Sequence, residues 1–80
     1  MWINWRMSFD KVQQKNLNSL GEKLKSIRLD KGLTLKDLGH LIDKDPQSIS
    51  RVEMGKINPT YLYLLEVCKG LEIDISKLFD

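Results

Sequence analysis

One cysteine and one histidine among 80 residues exclude several large classes of protein at once. Cys68 has no second thiol with which to close an internal disulfide, and with His40 alone it cannot assemble a metal-ligand set. No metal and no cofactor are therefore expected, and a chain without structural disulfides suits a reducing cytoplasm. Long apolar runs are missing as well. The opening "MWINWRMSFDK" is aromatic but interrupted by Asn4, Arg6 and Asp10, so neither a signal peptide nor a membrane span is expected there. No segment alternates at period two for long enough to argue a strand. There is no internal repeat, no low-complexity tract and no constellation of side chains that enzyme chemistry would need.

What is present describes a small globular domain. With 41% hydrophobic and 30% charged residues the chain can fold, and its length suffices for one domain with a modest core. A net charge of +2 permits a nucleic-acid partner without demanding one. The charge is unevenly spread: residues 1–32 carry seven basic and three acidic side chains, 33–56 four of each, and 57–80 two basic and four acidic.

Five glycines and two prolines punctuate the chain sparsely, and the apolar spacing between them is helical. A first helix is expected from about Asp10, where Asp10 and Gln13 make a capping pair, to Asp30, with Val12, Leu20, Leu24 and Ile27 on one face and Gly32 ending it. The weak helix formers Lys15-Asn16-Leu17-Asn18-Ser19 could interrupt it. Thr34, with Asp37 three residues on, opens a second helix whose apolar face is Leu35, Leu38, Leu41 and Ile42. "DKD" is a tight turn. Asp45 then caps a third helix with Pro46 at its first position, where a missing N–H costs nothing; Ile49 and Val52 face inward and Gly55 closes it. Thr60 caps a fourth helix, "YLYLLEVCK", and Asp74 a fifth, "ISKLF", whose Leu78 and Phe79 would seal the core. The expectation is an all-α, compact bundle of five short helices: residues 17–80 as the domain, and 1–16 as an N-terminal extension or the start of helix one.

Two short helices joined by a three-residue turn, with Gly39 at their crossing, follow the helix-turn-helix plan. The segments "KLKSIRLDKGLTLKDLGHLI" and "SISRVEMGKINPTYLYLLEVCKGLEIDISKLF" resemble the Cro/repressor-type (XRE) helix-turn-helix regulators of phages and bacteria. The resemblance spans Arg28, Gly32-Leu33-Thr34, Leu38, Ile49-Ser50, Glu53, Gly55, Asn58-Pro59, Leu64 and Leu71. It implies a lambda-repressor-like fold with helix three as the recognition helix in the major groove of double-stranded DNA. By that resemblance Gln47, Ser48 and Arg51 are the base-contacting residues, and Gln and Arg are the side chains suited to bidentate pairing with adenine and guanine. Thr34, Lys36, Lys44, Ser50, Lys56, Asn58 and Thr60 are the phosphate-contacting set, and Arg28 with Glu53 a structural salt bridge between helices one and three. Relatives usually carry Gln where this chain has Leu35, and Gly in the turn where it has Asp43.

The fourth helix holds more apolar residues than one small core needs. With Tyr61, Leu64, Val67 and Cys68 assigned inward, Leu62, Tyr63 and Leu65 remain, and exposed clusters of this kind mark interfaces. Together with Ile73, Ile75 and Phe79 they are the expected homodimer surface, which would set two recognition helices one DNA turn apart. Trp2, Trp5, Met7 and Phe9 lie outside the resemblance; they could pack across a dimer, dock on the core or form an arm, and with only Arg6 as a cationic head a membrane anchor is disfavoured. The size is similar to that of Cro-like repressors, restriction–modification controllers and antitoxin-type regulators. The expected function is a sequence-specific regulator, repressor or autoregulatory controller, on a palindromic operator. The rival is a helix-turn-helix-fold interaction module, an antitoxin or adaptor, that binds DNA weakly or not at all.

Overall fold

The computed structural model describes the backbone of residues 2–79 and the side chains of residues 10–79. Within that span the chain forms four α-helices and a 3₁₀ turn: α1 Trp2–Asp30, α2 Leu35–Ile42, α3 Pro46–Glu53, α4 Tyr61–Leu71 and the turn Ile75–Leu78. The architecture is all-α, and the expected fifth helix is that 3₁₀ turn. The expectations for the side chains of Trp2, Trp5, Met7 and Phe9 fall outside the described side chains.

Side-chain caps explain where three of the helices begin. The Thr34 hydroxyl accepts from the Asp37 N–H and the Asp37 carboxylate from the Thr34 N–H, both at 3.0 Å, a closed capping box at the head of α2. Asp45 accepts from the Gln47 N–H at 3.2 Å, with Pro46 as the first residue of α3. Thr60 accepts from the Tyr63 N–H at 3.1 Å. Asp74 does the same for Ser76, at the head of the 3₁₀ turn. Helix ends are made by left-handed residues: Gly32 and Gly55, and without glycine's freedom Asp43 (φ 56°) and Glu72 (φ 57°).

α1 departs from expectation at its start. It begins at Trp2 and runs unbroken through Asp10 and through residues 15–19, so the Asp10–Gln13 pair lies inside a helix instead of capping one. Val12, in that stretch, is 57% exposed.

The core draws one layer from every element: Leu24 of α1, Leu38 of α2, Ile49 and Val52 of α3, Leu64, Val67, Cys68 and Leu71 of α4, and Leu78 of the turn. Each fully buried Leu or Ile contributes about 1.5–3 kcal/mol by leaving water. Besides Val12, three expected core residues are outside it: Leu41 faces solvent at the end of α2, Tyr61, the first residue of α4, is 64% exposed, and Phe79, past the 3₁₀ turn, is 67% exposed. Conversely Tyr63, expected outward, is half-buried against the core.

Two close approaches fix α3 against its neighbours. A Cβ at Gly39 would sit 2.6 Å from the Lys44 carbonyl oxygen, which is what lets α2 turn tightly into α3. A Cβ at Gly21 would overlap the Glu53 carbonyl, so α1 crosses the end of α3 backbone to backbone. Beside that crossing, Arg28 and Glu53 are both buried and bidentate: Nε donates to Oε2 at 2.7 Å and Nη2 to Oε1 at 3.1 Å. The remaining guanidinium nitrogen, Nη1, donates to the Leu33 carbonyl at 2.7 Å. Among the described residues no helix is long and apolar enough to cross a membrane.

Candidate nucleic-acid interface

α3 has one buried side and one free side. Ile49, Val52 and Glu53 are buried, and Arg28 holds Glu53 from behind. Gln47 and Arg51, one turn apart, lie on the opposite side of the helix and both are exposed. Met54, one residue past the helix, continues that stripe and is 52% exposed. It was not among the expected site residues, although its spacing of three from Arg51 and seven from Gln47 was available as a signal. Ser48 and Ser50 sit at the flanks, half-buried. The Ser48 hydroxyl donates to the Asp45 carbonyl at 2.8 Å, so its proton serves the helix start and only its lone pairs remain for a partner.

The expected phosphate set surrounds this face unevenly. Thr34 and Thr60 are exposed helix caps, their hydroxyls already accepting backbone N–H groups. Lys36 is exposed in the first turn of α2, and Lys56 and Asn58 are exposed in the loop after α3. Lys44 is differently engaged. Its Nζ lies 2.7 Å from Glu66 and 5.7 Å from the centroid of the Tyr63 ring, so it clamps the α2–α3 turn to α4. The bond to Glu66 raises the ammonium's pKa and keeps it charged. At the head of α2, the Thr34 N–H and hydroxyl hold the Asp37 carboxyl below the usual carboxylate range.

Two short helices packed together across a tight turn, the second exposing an amide and a guanidinium on its outer side, define the helix-turn-helix class. The chain belongs to the helix-turn-helix family HTH_3, of XRE type, whose model matches residues 24–78. It is accordingly a DNA-binding transcription regulator and not an enzyme. Solved structures agree. The restriction–modification controller protein C.AhdI from Aeromonas hydrophila is 29% identical with a TM-score of 0.79, over 81% of this chain and 98% of that one. The clp gene regulator ClgR from Corynebacterium glutamicum is 30% identical with a TM-score of 0.76, over 80% and 83%. The wild-type controller C.Esp1396I is 34% identical with a TM-score of 0.74, over 80% and 84%, and a tetramer of that protein has been solved on its natural 35 base-pair operator. No curated protein sequence matches the chain.

Proposed function

We propose that this regulator binds a palindromic operator as a homodimer, reading bases with the outer face of α3 and acting in the cytoplasm as a repressor or an autoregulatory controller. The observation that carries the reading is the pairing of Gln47 and Arg51 on the exposed side of a helix whose other side is locked by Ile49, Val52 and the buried Arg28–Glu53 pair. A rigid helix holding two bidentate side chains one turn apart suits readout of adenine and guanine on neighbouring base pairs. Thr34, Lys36, Ser50, Lys56, Asn58 and Thr60 are the proposed phosphate contacts, with Ser48 at the edge of the groove. Lys44, drawn to Glu66, contributes chiefly by fixing the turn.

A controller role is supported by the likeness to C.AhdI and to C.Esp1396I, the latter solved on operator DNA. The homodimer rests on Leu62, Tyr63, Leu65, Ile73, Ile75 and Phe79 as the shared surface. Leu62 and Phe79, 69% and 67% exposed, would be its centre, and the half-buried others its floor.

The test is selection of fragmented host DNA with purified protein at moderate salt, followed by sequencing. Enrichment of a palindrome, upstream of the regulator's own gene for a controller, is the expected result. Arg51→Ala is expected to lose about 1–3 kcal/mol of discrimination at one base pair of each half-site, read by competition with a single-base variant. A folded protein that enriches no sequence would instead be an interaction module that keeps the fold.

A further inference from the structure

The front half of α1 precedes the residues that the family model covers, and it is seated on the recognition unit by a specific contact. The Gln14 amide donates at 2.9 Å both to the Gly55 carbonyl and to Asn18 Oδ1. Asn18 in turn lies directly against Gly55, where a Cβ would collide with its carboxamide. Gly55 and Lys56 form the exit from α3, so residues 14–18 of α1 are tied to the start of the loop that carries Lys56 and Asn58.

Helical spacing then places two more side chains. Lys11, Gln14, Lys15 and Asn18 follow one another at intervals of three, one and three along a single edge of α1. Both lysines are exposed. Two of these four residues touch Gly55, so Lys11 and Lys15 lie on the edge of α1 that meets the turn leading into Lys56. Two carboxylates share this edge, Asp10 one turn before Gln14 and Glu22 one turn beyond Asn18. Of the seven basic residues in 1–32, Lys11 and Lys15 thus lie on the edge of α1 that meets the loop after α3.

We infer that the front half of α1, docked through Gln14, is a second contact to the DNA backbone, with Lys11 and Lys15 neutralising phosphates that flank those reached by Lys56. The inference rests on the proposed docking of α3 and adds affinity without sequence preference, since phosphates are alike at every base pair.

The experiment compares the salt dependence of operator binding for the full chain, Lys11→Gln/Lys15→Gln, and the control Lys31→Gln/Lys69→Gln, which removes the same charge from exposed positions elsewhere. Each phosphate contact contributes about 0.9 to the slope of log affinity against log salt. The Lys11/Lys15 variant should therefore have a slope shallower by about 2, with discrimination between operator and single-base variants unchanged. Between 50 and 200 mM salt the parent would lose roughly tenfold more affinity than that variant, whereas the control keeps the parental slope. Equal slopes for the two double variants would overturn the inference. If Arg51→Ala abolishes discrimination while the Lys11/Lys15 slope stays parental, this inference alone fails. If the parent shows no salt-dependent binding at all, the reading of α3 fails and takes this one with it.

Discussion

Glu53 is the residue on which the orientation of the reading helix depends. It sits at the last position of α3, buried, with both carboxylate oxygens bound to the Arg28 guanidinium. An ion pair of this kind adds little net stability compared with a well-packed apolar pair, but removing one partner strands the other charge. Glu53→Ala should cost about 3–5 kcal/mol of unfolding free energy, measured by urea denaturation. A loss below 1 kcal/mol would mean that Arg28 finds another acceptor beyond the Leu33 carbonyl it already has. Arg51, two residues earlier on the free side, should behave in the opposite way. Its truncation changes DNA discrimination and leaves stability within about 0.5 kcal/mol, as at other exposed positions.

The elements separate what can be read in the chain from what cannot. α2, α3 and α4 start where Thr34, Asp45 and Thr60 stand, because a short oxygen-bearing side chain must satisfy N–H groups that the first turn leaves open. The α2 cap has a consequence for pH. Asp37 is held below its ordinary value by Thr34, so its contribution is complete above the unfolded carboxylate range and is lost as the pH falls through the lower folded value. Thr34→Ala should destabilise the protein by about 0.5–2 kcal/mol at neutral pH. The difference from the parent should shrink under acid, as followed by amide exchange in α2. The start of α1 was not legible, since an Asp-x-x-Gln spacing occurs as readily within a helix as at its head. Nor was the exposure of Val12, Leu41 and Tyr61: periodicity gives the spacing of a face but not where neighbouring elements stop covering it. The α3 face was legible for a different reason. Ile49 and Val52 fix its buried side, and Gln47 and Arg51 are what remains opposite. Gln14 and Gly21 were invisible because their partners, Gly55 and Glu53, lie more than thirty residues away in the chain.

The molecule as a whole leaves Tyr61, Leu62 and Phe79 uncovered, each more than 60% exposed, alongside a core already filled. If these residues join two copies, Leu62→Glu should yield a folded monomer by light scattering with an unchanged helical spectrum. Its operator affinity should then fall about 10²-fold or more, since the two half-sites no longer act through one linked pair of helices. A variant that remains dimeric would move the two-fold axis elsewhere. The lone thiol has a use that follows from where it sits. Cys68 is 2% exposed, and burial pushes its pKa up, so in the closed protein it is a protonated group that no reagent reaches. Its labelling rate therefore records how often the molecule opens, and slowing of that rate by added operator, or by higher protein concentration, would weigh each association in a single unmodified chain.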